Sequence, residues 1–422
     1  MKSKKYLLPL LSFAVFCSCS QDEPMQTIEK DEITPQTNRV SVAEAIDNAN
    51  QYMSTLPTLK TRGILPKVAD VQIMGLPNVR TRSVDANVDT LLYIVNYEDN
   101  QGFAIMSADR RALPIYAISD TGHFEINEDS PEALVANINS AKYDVLSRIE
   151  GAQPVNPGWS LPPWPLWKGW DNDIEYKIPP KLSLFQSRMS YHDPYSKYCY
   201  TADGIKSYSG CVAIALEQIL SFHKWPGQIE SLTLNWNKIN SGSDNEALAR
   251  LLEILGRKDY LSLNYKTNEH PASGNVYNVP DVLKKLKYLN VNNFIGFYEN
   301  PDIVVDALHT APIFMTAGTS LPDGDGHAWV IDGMIRYKVD DTLLQPSVGG
   351  FVDFHYSYYS LYHCVWGWKG NCNGYYFQNF VGLPKFYDET DSRIDGGDSK
   401  YVVCDRNVKF LHGFYPWGVI NQ

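Results

Sequence analysis

Residues 208–225 read YSGCVAIALEQILSFHKW, with Pro226 next. Val212, Leu216, Ile219, Leu220 and His223 recur at helical spacing, which predicts a helix that begins near Cys211, buries one face and stops at the proline. A thiol therefore sits in a first turn whose N–H groups lack intrahelical partners and which carries the positive end of the macrodipole. That field favours thiolate, the nucleophilic form, and the same N–H groups can hold an oxyanion. Gly210, directly before the thiol, removes the Cβ that would keep a substrate backbone away.

Outward from this helix the chain divides by pattern. Upstream, Ser41 with Glu44 three residues on reads as a capping box, and Val42, Ala45, Ile46, Ala49, Tyr52 and Met53 form one apolar stripe. Two β-rich runs joined near Gly102 read as a hairpin, and Leu134, Ile138, Ala141, Val145 and Ile149 mark a second amphipathic helix. Residues 41–150 thus predict a small α+β domain, and the Pro/Trp-rich stretch 151–180 reads as a linker without regular helix or central strand. In residues 181–422, helix signals near 211–224, 244–256 and 279–289 precede β-rich runs at 311–318, 326–337 and 350–359. A helical half followed by a β half is an α+β layout.

Two further stretches bear on the thiol. GHAWVIDG, residues 326–333, places His327 after a Gly-rich turn and at the entry of an apolar strand, where a base would be exposed at one end. A cysteine on a helix followed by a histidine on a strand is the papain-like arrangement. The third stretch is YHCVWGWKGNCNGYYF, residues 362–377. Together the three motifs resemble the streptopain (C10) family of secreted bacterial cysteine peptidases, with its G-C-V-A-T-A, G-H-A-x-V-I-D-G and H-x-N-W-G-W-G-G segments. Residues 41–150 are similar to the inhibitory prodomain of that family and of its Bacteroidetes relatives.

The resemblance implies a papain-like α+β fold behind a prodomain, with Cys211 as nucleophile and His327 as general acid/base. It makes Trp366 the tryptophan that packs on the catalytic histidine, and Gln186 a candidate oxyanion donor, although the gap from Gln186 to Asp193-Pro194-Tyr195 is longer than in the relatives. Val365 stands where the family has an asparagine that orients the imidazole, and Lys369 replaces a loop glycine. Asn371, Asn373 or a backbone carbonyl then remain to orient the ring. The expected activity is endoproteolysis of protein substrates from a zymogen inhibited by its own prodomain, cut within residues 151–180, with no cofactor. The rival readings are a catalytically impaired surface binding protein, for which Val365 speaks, and a transglutaminase-like acyl transferase using the same thiol.

The N-terminus carries Lys2, Lys4 and Lys5, then an apolar core at residues 6–16 too short to span a bilayer, which reads as a secretory signal. It ends either in simple cleavage or in a lipobox-like Ser18-Cys19, with residues 1–18 removed, Cys19 lipidated and 19–40 as a tether. The second reading resembles surface-exported lipoproteins of Bacteroidetes and implies an outer-membrane or cell-surface location, with membrane contact by the anchor alone. A net charge of −11 without a basic block beyond the first residues leaves no nucleic-acid footprint. Cys199, Cys211, Cys364, Cys372 and Cys404 remain after the signal; their pairing is open, and an odd number leaves at least one thiol. His363 with its neighbouring cysteines lacks zinc spacing, and Asp323, Asp325, Asp332, Asp340 and Asp341 read as turn formers.

Overall fold

The hydroxyl of Ser41 accepts from the Glu44 N–H at 3.2 Å and opens helix α1, Val42–Thr55. The reciprocal half of the expected box is absent, because the Glu44 carboxylate pairs with Arg110 at 2.5 Å. Ala45, Ala49, Tyr52 and Met53 form the buried stripe. These features belong to a computed structural model that describes residues 38–76, 89–127, 130–150, 170–266, 272–318, 327–340, 356–377 and 406–417. The signal, the tether, residues 151–169 and Cys404 lie outside the described residues.

After α1 come α2 (Pro57–Arg62), β1 (Val68–Met74), β2 (Leu92–Tyr97), β3 (Phe103–Ser107) and β4 (Ile115–Ser119). Each of these strands pairs antiparallel with the next, and β2–β3 is the hairpin that the sequence predicts. Helix α3, Glu132–Ile149, follows. Its apolar stripe is buried as expected, but Asn137, Lys142, Asp144, Ser147 and Arg148 are buried too. Asp144 makes this tolerable by accepting from the Arg148 guanidinium at 2.8 Å and from the Tyr116 hydroxyl. Burial pushes the Lys142 ammonium down to about 8.

The linker reading fails in its last third. Trp170–Ile178 is strand β5, paired antiparallel with β11 from Met334 to Val339. Prolines flank it but none falls within it, and Ile174, Tyr176 and Ile178 alternate with exposed Asp173, Glu175 and Lys177, the period of a half-buried strand.

The remainder runs α4 (Leu184–Ser187), α5 (Cys211–His223), the short pair β6 (Gln228–Ile229) and β7 (Leu232–Thr233), α6 (Trp236–Asn240), α7 (Asn245–Gly256) and α8 (Val279–Lys285). Then come β8 (Tyr288–Leu289), β9 (Ile295–Gly296), α9 (Pro301–Thr310), β10 (Ile313–Gly318), β11 (His327–Asp340), β12 (Tyr356–Val365), β13 (Gly374–Phe377), β14 (Arg406–Leu411) and β15 (Tyr415–Pro416). Helix α5 buries every residue from Val212 to Ser221 rather than one face. It runs between β11 and the helices α4, α6 and α7, so its polar side is covered as well. One result is Glu217, fully buried, its carboxyl pushed well above the ordinary carboxylate range by desolvation.

One sheet joins the two halves. Among the described residues its order is β1-β2-β3-β4-β13-β12-β11-β10-β14-β9, with β5 also on β11. The junction is short: Ile118 and Ala117 of β4 face Tyr375 and Tyr376 of β13. Asn137 on α3 reinforces it by donating to the Phe377 carbonyl at 3.1 Å.

Candidate active site

Cys211 is the first residue of α5, half-buried, behind Gly210 at φ +84° and ψ 151°. No side chain caps this end. A Cβ at Gly210 would come within 3.2 Å of Ala272, so both the backbone angle and the space call for glycine. The first turn of a helix presents N–H groups that no earlier turn can accept from, and here they lie beside the thiol.

His327 opens β11, where Ala317 of β10 is its ladder partner. It is buried, and its Nε2 has no hydrogen-bond partner among the described residues. Burial pushes the imidazole down to about 4, opposed by a hydrogen bond with the Trp366 backbone. Only an acceptor raises the pKa of a ring base, so the Trp366 carbonyl is the backbone group that acts on the ring. In this state the ring is neutral near pH 7.

Trp366 is fully buried and tied down on several sides. Its indole N–H donates to the Cys372 carbonyl at 3.1 Å, and its ring lies 5.9 Å from that of Trp329 and 5.2 Å from that of Tyr376. Gly367, at φ +72°, turns the chain against α5: a Cβ there would meet Ile214 Cγ2 at 2.8 Å. The corner Trp366-Gly367 therefore touches His327 on one side and the first turn of α5 on the other. Val365 is fully buried opposite Val330 in the β11–β12 ladder and offers the imidazole no polar atom.

Gln186 is not brought to Cys211. Its Oε1 accepts from the Ser183 N–H at 2.9 Å in a capping box on α4, and its Nε2 donates to the Ser221 hydroxyl at 3.0 Å. Ser221 lies ten residues after Cys211, about 15 Å along the helix axis. The amide serves helix packing instead. The segment that does reach the site is Tyr191, whose N–H donates to the Gly367 carbonyl at 3.3 Å and whose carbonyl accepts from the Ser209 N–H at 3.0 Å. His192 follows with its ring 4.4 Å from that of Tyr208. The sequence reading missed this segment; its place just ahead of Asp193-Pro194-Tyr195 is the signal that could have found it.

A second histidine pair was not legible beforehand. Asp332 is no turn former: it lies within β11, fully buried, and accepts from His363 Nδ1 at 2.6 Å. Its other oxygen takes the N–H groups of Lys181 at 3.0 Å and Leu182 at 2.8 Å. Burial pushes the carboxyl of Asp120, which follows β4, upward. Nearby the Cys372 thiol, pushed up to about 12 by burial, points at the carbonyls of Glu125 and His123, 3.7 and 3.9 Å away. Cys199, Cys211, Cys364 and Cys372 are not joined in disulfides.

Residues 37–145 match the family model described as Spi protease inhibitor, and residues 189–251 and 233–376 match the Peptidase C10 family. The chain is 23% identical over 332 residues to the thiol protease/hemagglutinin PrtT of Porphyromonas gingivalis, covering 69% of this chain and 34% of that protein. It thus spans about a third of the length of that curated relative. Among solved structures, a fragment of Prevotella intermedia prointerpain A superposes with a TM-score of 0.50 at 18% identity, over 82% of this chain and 99% of that one. That likeness establishes the fold, an α+β peptidase with its prodomain. With a Spi inhibitor prodomain ahead of a Peptidase C10 domain, the chain belongs to the streptopain-like C10 family of cysteine peptidase zymogens.

Proposed function

We propose that the protein is a cysteine endopeptidase, latent until cut, that cleaves protein substrates through Cys211 and His327. The observation that carries the reading is the Trp366-Gly367 corner, which holds the His327 ring and packs on the first turn of the Cys211 helix. In the activated form the Cys211 thiol gives its proton to His327, and the thiolate attacks the scissile carbonyl. The oxyanion is held by first-turn N–H groups. His327 then protonates the leaving amine as the C–N bond breaks, leaving a thioester; it next takes a proton from water, whose oxygen displaces the thiolate and releases the acid. In the zymogen burial disfavours the imidazolium that His327 would become on taking the thiol proton, which supports latency under the prodomain. Activation falls in residues 151–169, because β5 is a strand of the peptidase sheet.

The test uses the full-length chain before and after cleavage in that segment, with casein hydrolysis and a thiol-directed covalent probe as readouts. The cut wild type should be active and the intact chain slow. Cys211→Ala and His327→Ala should each lose on the order of 10³-fold or more, and substantial turnover by the cut Cys211→Ala protein would sink the assignment. Val365 favours a second reading, a surface binding protein without turnover, and neither hydrolysis nor labelling in any form would establish it. The location belongs to the same proposal: Cys19 carries a lipid anchor to the outer membrane or cell surface, and Cys19→Ala should move the protein out of the membrane fraction. Equal soluble export of both would remove the anchor.

A further inference from the structure

We propose that Asn373 is a positioning residue for His327, fixing the Trp366 backbone and so doing in this chain the orienting that Val365 cannot do. The proposal rests on Cys211 and His327 being the reacting pair. Asn373 lies directly before β13, only 7% exposed, and spends both ends of its amide. Oδ1 accepts from the Trp366 N–H at 3.2 Å, and Nδ2 donates to the Ser187 carbonyl at 2.8 Å. Its own N–H donates to the Gly370 carbonyl at 3.3 Å, closing the loop on itself.

The chain of contacts then has a direction. Ser187 belongs to α4, the helix that packs on α5. Through Asn373 this scaffold holds the Trp366 N–H, while the indole N–H of the same residue is held by Cys372. The Tyr376 hydroxyl donates to that Cys372 carbonyl as well. With N–H and indole both restrained, the Trp366 carbonyl has one aim, and it is the acceptor for the His327 ring. The N–H and the carbonyl of one residue are separated by a single Cα, so freeing the first lets the second swing. Val365, whose valine side chain faces core, adds no restraint of its own.

A merely structural asparagine would leave the imidazole alone, and this separates the two roles. In the full-length chain cut in solution, Asn373→Ala should lower kcat by about 10²-fold with KM little changed, the scale expected when a reacting group is misplaced by about 1 Å. The Trp366 carbonyl favours the protonated ring, so loosening it should move the alkaline limb of kcat/KM to lower pH, by about half a unit or more. Asn373→Asp keeps an oxygen for the Trp366 N–H and loses only the donor to Ser187. It should stay within about tenfold of wild type, with the limb not lowered. A His327 ring titration followed by NMR should shift the same way in the alanine variant. The proposal is overturned if Asn373→Ala melts earlier but keeps its alkaline limb and ring titration, or if the aspartate variant falls as far as the alanine one. Should the cut wild type itself have no turnover, the peptidase reading fails, while the ring titration still decides the role of Asn373.

Discussion

At the scale of single residues, the question raised by Val365 has an answer in the backbone. An imidazole that shuttles a proton needs an acceptor to orient its ring, and the group that acts on the His327 ring is the Trp366 carbonyl. An asparagine at 365 would therefore enter a core position that already lacks a vacancy to fill, beside Val330. We expect Val365→Asn to leave kcat/KM of the cut enzyme within about threefold while costing about 1–3 kcal/mol for a buried amide without arranged partners. A rise of about tenfold or more, equal to about 1.4 kcal/mol of transition-state stabilisation, would show that His327 is under-supported in the native chain.

At the scale of elements, β11 does the most. It starts with His327, holds β12 along one edge, and shares the other between β10 and β5. Asp332 within it stitches three segments: β11 itself, His363 of β12, and the Lys181-Leu182 backbone that follows β5. Asp332→Ala would leave two N–H groups and an imidazole without their acceptor in a dry setting. The expected loss is about 3–5 kcal/mol of unfolding free energy, read from a guanidinium titration of the Cys211→Ala chain. A loss below about 1 kcal/mol would mean that these donors find other partners. The same strand accounts for the misread linker end, because residues 170–178 were judged by the prolines around them rather than by their own alternation.

For the whole molecule, a continuous sheet from β1 to β9 means that prodomain and peptidase share one ladder, so their stabilities are linked through the β4–β13 edge. His327 is buried and His223 half-buried, and both are pushed down to about 4, mainly by desolvation. In the unfolded chain each binds a proton near 6.5. Between those values the unfolded state holds more protons than the folded one, so zymogen stability falls as pH drops through that window, by up to about 3 kcal/mol per histidine. Thermal melts of the Cys211→Ala chain at pH 7, 5.5 and 4.5 should show Tm falling steadily. His223→Gln should flatten part of that slope, and a Tm unchanged down to pH 4.5 would contradict the burial of both rings.

Local pattern carried much of this protein. The start of α1 at Ser41, the β2–β3 hairpin, the helix at Cys211 and the strand after His327 were all readable, because caps, turns and periodicity act within a few residues. The family resemblance followed from three short motifs for the same reason. What the sequence left undecided is partner choice across distance. Gln186 looked like a donor to the thiol and is claimed by Ser183 and Ser221; Asp332 looked like a turn residue and is the buried partner of His363. Asn373 was one of several groups near a gap, until its amide was found between Trp366 and Ser187. Which surfaces of α3 and α5 are covered, and that β4 adds to β13, depend on segments hundreds of residues apart meeting in one core. A hydrogen bond buried in that core forms with whichever group packing delivers, since an unmade one is costly; spacing along the chain does not encode that delivery.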